Sequence, residues 1–186
     1  IEEDPNLNKK KAAKAIGKFV SLHPHNLAQK TEIIMEHFRD IVSKKIGGKA
    51  KAMLVCGSRL HAQRYFEEFG RYIKKKGYEN EIKILVAFSG KVVDDNTPDG
   101  VSEPEMTGYN EKELPTIFER DEYKILIVAD KYQTGFDQPL LHTMYVDKKL
   151  SGVKAVQTLS RLNRMHPGKE DTFVLDFAND RQTILD

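Results

Sequence analysis

The chain is short of several things, and each shortage narrows what it can be. Of its 186 residues one is cysteine and none is tryptophan. The lone cysteine, Cys56, lies inside an apolar run, so an internal disulfide is impossible and a reducing, cytoplasmic setting is expected. No apolar stretch approaches the roughly 18 residues that span a bilayer, and the N-terminus has no signal-peptide pattern, so no membrane partner is expected. Excess charge is also missing. With a formal net charge of +2, any grip on a polyanion must come from a local patch. There is no G-x-x-x-x-G-K-[ST] phosphate loop: Gly48-Lys49, Gly90-Lys91 and Gly168-Lys169 are each followed by the wrong residue. No apolar strand ends in an acidic pair suited to magnesium, because Asp121-Glu122 precedes a strand instead of following one. Serine and cysteine hydrolase signatures are absent. His23 and His25 lack the neighbouring cysteines or carboxylates that would make a metal site, so no metal is expected there.

What is present is an α/β rhythm at ordinary globular composition, 39% hydrophobic and 31% charged. Lys51-Ala-Met-Leu-Val-Cys56 and Lys124-Ile-Leu-Ile-Val-Ala129 are short continuous apolar runs of the kind buried in parallel sheets. Residues 82–88, 142–147 and 172–177 complete five strand candidates. A helix is expected over 59–76, with Ser58 as N-cap, Gly77 as stop, and Ala62, Phe66, Phe69, Tyr72 and Ile73 inward. Another is expected over 27–45 on the spacing of Leu27, Thr31, Ile34, Phe38 and Ile41, begun after the break at His23-Pro24-His25 and ended by Gly47-Gly48. The polar stretch 94–108 reads as a long mobile connection. Asn110 and Glu113 suggest a capping box, with Pro115 delaying the helix that follows. The expected architecture is a three-layer, mostly parallel α/β sheet with helices on both faces. Residues 1–49 form a helical lead-in and 50–186 the main domain; the whole looks excised from something longer.

In such a sheet ligands gather beyond the carboxyl ends of the strands. Three polar stretches fall there: Gly57-Ser58-Arg59, 130–138, and the approach to Gln157-Thr-Leu-Ser-Arg-Leu-Asn-Arg164. In the second, Thr134 supplies a hydroxyl, Gly135 lets backbone approach a ligand, and Asp137 suits a ribose hydroxyl. The third reads as a helix with Gln157, Arg161 and Arg164 on one side and Val153, Val156, Leu159 and Leu162 as an apolar stripe on another. Guanidinium forks suit phosphate oxygens. Taken singly, each stretch could equally be a connecting turn or a solvated basic face.

Together they carry a resemblance. Residues 124–137, ending Thr-Gly-Phe-Asp, followed by Gln157–Arg164 resemble motifs V and VI of superfamily 2 helicases, and 51–69 resembles their motif IV region. The match covers roughly residues 50–178 and points to the second RecA-like domain of such motors. Ser160 stands where most of those helicases have glycine, and Asn163 precedes the final arginine. With 138–149 and the His-Pro-His-Asn-Leu-Ala-Gln-Lys lead-in, these choices resemble the motor (R) subunit of type I restriction enzymes.

That resemblance implies the following. ATP with Mg2+ is held mainly by a first RecA-like lobe elsewhere on the polypeptide, which also carries a nuclease domain. Arg161 and Arg164 act as arginine fingers, Arg164 on the γ-phosphate. Gln157, Asp137 and Gly135 contact nucleotide or couple it to DNA, while Ser58, Arg59 and Thr134 face the DNA backbone. Partners are double-stranded DNA and the methyltransferase and specificity subunits, in a prokaryotic cytoplasm. The alternatives are a lobe of a type III restriction or repair helicase, or a non-catalytic α/β interaction domain.

Overall fold

The computed structural model describes residues 22–131 and 136–179. Residues 1–21 of the lead-in, with the lysine run at 9–11, lie outside them, as do Thr134 and Gly135. Among the described residues five strands form one parallel sheet: β1 (Lys51–Cys56), β2 (Lys83–Ala87), β5 (Tyr123–Ala129), β6 (Leu141–Asp147) and β7 (Phe173–Asp176), in the order β2-β5-β1-β6-β7. All neighbours pair in parallel, Ala52 opposite Ile125 on one side of β1 and Thr143 on the other. β1 and β6 are buried along their whole length, whereas the edge strands β2 and β7 are partly exposed. This is why the central strands read as unbroken apolar runs.

Alternate side chains leave opposite faces of a strand, and two cores result. Ala52, Leu54, Cys56, Ile125, Ile127 and Tyr145 face α1 (Pro24–Asp40) and α2 (Arg59–Lys76), which contribute Ile34, Met35, Phe38, Tyr65 and Phe69. Met53, Val55, Leu126, Val128, Met144 and Val146 face the other layer, with Leu114 and Phe118 of α4 (Leu114–Phe118) and Ala155 of α5 (Gly152–Leu159). The expected three layers are therefore present. α2 runs over the expected residues: Ser58 accepts the His61 N–H at 3.1 Å, and Gly77 closes the helix at φ 74°. Phe66, expected inward, is only partly buried.

Four expectations need correction. The helix read over 27–45 begins at Pro24 and ends at Asp40, followed by two 3-10 turns. Proline is tolerated in a first helical turn, and the His23 ring caps the end by accepting the His25 N–H, so His23-Pro24 starts this helix. Ile41, counted as inward, is 47% exposed. Residues 94–108 are not a structureless connection: β3 (Lys91–Asp94) and β4 (Thr97–Ser102) pair as an antiparallel hairpin, followed by α3 (Glu103–Thr107). Asp94 folds the turn by accepting from the Asn96 and Thr97 amides and the Thr97 hydroxyl, and it pairs with Arg64 at 2.9 Å. The real capping box joins Ser102 to Glu105. Asn110 instead closes a short turn on the Lys112 N–H, and α4 starts late, at Leu114, with Pro115 in its first turn.

Candidate functional site

The fourth correction concerns the segment carrying the arginines. α5 stops at Leu159, 160–163 tighten into a 3-10 turn, and Arg164 is extended at φ −64°, ψ 124°. Ser160, whose hydroxyl donates to the Gln157 carbonyl at 2.9 Å, sits at the change of winding. Gln157, Arg161 and Arg164 therefore do not share one face of a continuous α-helix. The apolar stripe is also not as read: Val153 and Val156 are 71% and 69% exposed, while Ala155, Thr158 and Leu162 are buried and Leu159 only partly so.

The change of winding separates the two arginines by environment. Arg161 is half-buried and donates from Nη1 to the Phe136 carbonyl at 3.1 Å. Arg164 is mostly exposed, with its Nε 3.4 Å from the Asp137 carboxylate. Both arginines thus meet the segment at 136–137 that leads into β6. Phe136 anchors that segment in the second core, its ring 6.3 Å from Phe118. Lys169 braces the far side, donating to the carbonyls of Pro139 and Arg164. A groove of about 250 Å3 lies alongside, lined by Asn163, Arg164, Met165, Lys169 and Glu170 among others. Asp137, Arg161 and Arg164 are brought together; Gln157 faces solvent one turn earlier.

Ser58 and Arg59 stand apart from that group, at the carboxyl end of β1. Ser58 spends its hydroxyl on the helix cap, and the exposed Arg59 donates to the Ser89 carbonyl at 3.1 Å. The turn beyond β2 makes room for that guanidinium: a Cβ on Gly90, at φ +76°, would come within 2.7 Å of Arg59 Nη1.

The sequence reading passed over a buried cluster at the same edge of the sheet. Asp147, the last residue of β6, accepts the Tyr65 hydroxyl at 2.6 Å and the Lys30 ammonium at 3.1 and 3.2 Å, with His61 Nε2 at 3.4 Å. Burial first, then the neighbouring carboxylate, pushes the Tyr65 hydroxyl far up from its ordinary value. The signal was an acid closing a buried strand, Met-Tyr-Val-Asp. Its partners, far away in sequence, were not readable.

Residues 102–179 match the family model of type I restriction enzyme subunit R domain 3. The chain is similar to R subunits of type I restriction enzymes. It is 28% identical, over 94% of its length, to the putative type I restriction enzyme MjaVIIP endonuclease subunit of Methanocaldococcus jannaschii, and 32% identical, over 81%, to the MjaIXP subunit of the same organism. It spans only 17% and 14% of the lengths of those two relatives. A 35% match to the HindI endonuclease subunit of Haemophilus influenzae covers 48% of the chain and 8% of that protein. Among solved structures, the C-terminal part of the Fun30 ATPase domain superposes with a TM-score of 0.52 at 14% identity, over 85% of this chain and 44% of that one. The fold is the RecA-like α/β arrangement expected from motifs V and VI, and the resemblance to type I R subunits holds.

Proposed function

We propose that this chain is the second motor lobe of a type I restriction enzyme, serving ATP-driven translocation along double-stranded DNA in a prokaryotic cytoplasm. The observation that carries the reading is the meeting of Asp137, Arg161 and Arg164. In this lobe Arg164 is the finger. It is 62% exposed, and its partner Asp137 is 60% exposed, so the pair contributes little and exchanges readily for a phosphate. Its planar fork suits charge spreading over phosphoryl oxygens in the transition state. Arg161, tied to the Phe136 carbonyl, holds the 136–137 segment against the arginine-bearing turn. Gln157 and Gly135, the latter outside the described residues, are the further residues assigned to nucleotide binding. The groove beside Arg164 also carries Lys169, a second cation within reach of a phosphate, although Glu170 lines it too.

Bound ATP supplies the phosphoryl group; a magnesium ion held by the first lobe supplies charge neutralisation. Among the described residues no group of three His, Cys, Asp or Glu side chains is placed to hold a metal. Ser58, Arg59 and Thr134 grip the DNA backbone without reading sequence, as a translocase requires. The first lobe, nuclease domain, methyltransferase and specificity subunits complete the assembly.

ATP hydrolysis and DNA binding test the reading. The full-length polypeptide should hydrolyse ATP in response to double-stranded DNA, whereas the 186-residue chain alone should not. That chain should bind DNA weakly and without sequence preference, each neutralised phosphate adding about −0.9 to the log–log salt slope. Tight, salt-insensitive binding to one sequence would contradict a backbone-gripping lobe.

A further inference from the structure

The helix that leads to the arginines is weakly fixed by its own sequence. α5 has only 8 residues, too few to be stable in isolation. Ser151 stands at its N-cap without a side-chain cap bond, and Gly152 opens it at φ 55°, a region that glycine enters freely. The bond from the Ala155 N–H to the Ser151 carbonyl is long, at 3.4 Å. Only a narrow stripe of Ala155, Thr158 and Leu162 is buried, while Val153 and Val156 face out. The far end is tied down: Arg161 donates to the Phe136 carbonyl, and the Arg164 carbonyl accepts from Lys169. Ties at one end leave the direction of the helix open, and a second fixed point is needed to set it.

That second point comes from beyond β7. The Phe177 N–H donates to the Val146 carbonyl at 2.8 Å, extending the pairing with β6. Asp176 then folds the chain into a turn. Its Oδ1 accepts the backbone N–H groups of Ala178 and Asn179 at 2.8 and 2.9 Å, and the Asn179 side chain at 3.2 Å. The turn aims the Asn179 amide at the connection from β6 to α5. Nδ2 donates to the Lys148 carbonyl at 2.6 Å, and Oδ1 accepts the Leu150 N–H at 2.8 Å. One side chain thus makes the pair of bonds that a residue of a neighbouring parallel strand would make across Lys149. Leu150 is buried in the second core, and Lys148 is held again through its ammonium, 2.8 Å from Asp130. From this bracket the chain runs unbroken through α5 and the 3-10 turn to Arg164.

We propose that Asn179 is a positioning residue: by bracketing Lys148 and Leu150 it fixes the start of α5, and together with the Arg161–Phe136 tie it sets where Arg164 is held. The inference rests on the reading of Arg164 as the finger. A reacting group displaced by about 1 Å loses on the order of 10²-fold in rate, so a helix free to swing at its start is felt at its end.

The test uses the full-length polypeptide with Asn179→Ala, Asn179→Asp, Arg164→Ala and the double variant Asn179→Ala/Arg164→Ala. Asn179→Asp keeps the shape and the acceptor for Leu150 but loses the donor to Lys148. Two readouts are taken: hydrogen exchange of a peptide spanning residues 148–158, and ATP turnover in the presence of double-stranded DNA. Both Asn179 variants should speed exchange in that peptide by about tenfold while β1 is unchanged. Both should lower kcat by about tenfold or more and leave the ATP KM within about twofold of wild type. In the Arg164→Ala background Asn179→Ala should lower kcat by no more than about twofold further, because the group it positions is gone. Unchanged exchange overturns the bracket. Faster exchange with wild-type kcat overturns the positioning role, as does a kcat loss that persists in full without Arg164. If Asn179→Ala does not fold, Asn179→Asp and its Arg164→Ala double decide; failure of Asn179→Asp to fold makes the bracket a requirement of the fold and overturns the selective role. Wild-type turnover from Arg164→Ala defeats the finger reading and this consequence with it, while the exchange result still decides whether Asn179 holds the helix.

Discussion

Removing the Asp147 carboxylate should unfold the domain well below its normal temperature, and the structure says by how much. Its side chain is 5% exposed and faces the ammonium of Lys30, itself 16% exposed, and the fully buried Tyr65 hydroxyl. Breaking a buried pair by deleting one member costs about 3–5 kcal/mol, because the remaining charge and donor are stranded away from water. Lys30 is not wholly enclosed and can turn partly outward, which favours the lower half of that range. For a domain of this size each kcal/mol lowers Tm by about 2–4 °C, so a loss of about 3–4 kcal/mol in Asp147→Ala should lower it by roughly 6–16 °C. Lys30→Met should cost less, about 1–3 kcal/mol, because Tyr65 still donates to the carboxylate. The double variant should therefore be less destabilised than the sum of the two. Thermal melts and urea titrations of the four proteins in the cycle check this. Were Asp147→Ala within about 1 kcal/mol of wild type, or the two changes additive, the cluster would contribute nothing as a network.

Other consequences follow from the corrected geometry. Leu162→Ala, at a 3% exposed position, should cost about 2–5 kcal/mol in chemical unfolding, whereas the half-buried Leu159→Ala should cost clearly less. The opposite ranking would restore the continuous-helix reading of this segment. Lys51, buried beneath Phe118 with its ammonium donating to the Arg120 and Tyr123 carbonyls, is pulled down by burial to about 8. Between that value and 10.5 the unfolded chain holds a proton that the folded chain does not, so stability rises with pH through this window. Relative to Lys51→Met, wild type should gain up to roughly 3 kcal/mol from neutral pH to above that window. A flat or falling difference in melts over that range would show that Lys51 is not held this way.

The sheet was legible because its central strands are buried on both faces, which leaves unbroken apolar runs at 51–56, 124–129 and 142–147. α2 was legible to the residue because Ser58 and Gly77 close it chemically. The hairpin was not, since β4 is Thr-Pro-Asp-Gly-Val-Ser and lies at the surface. Side-chain bonds from Asp94 hold its turn in place of a buried alternating face. In α5 the spacing-of-three apolar pattern misled, because the helix tightens at Ser160 and a phase extrapolated through the turn puts Val153 and Val156 inside. At the site, residue types singled out Arg161, Arg164 and Asp137, which the structure brings together. That Arg161 is tied down while Arg164 is exposed depends on winding and on Phe136, neither of which has a sequence signature. The Asn179 amide, bridging the end of β7 and the start of α5, was beyond any local pattern.

ATP turnover by the full-length polypeptide carrying Arg164→Ala tests the central claim most directly. A finger acts on charge that develops in the transition state, so its loss should fall on kcat and spare KM. The expected drop is at least about two orders of magnitude, set against the 10³–10⁵ such residues contribute elsewhere. Arg164→Lys should recover little, because an ammonium lacks the fork. Thermal stability should hardly change, as the residue is 62% exposed. Wild-type turnover from Arg164→Ala would leave this arginine as nothing more than the solvated partner of Asp137.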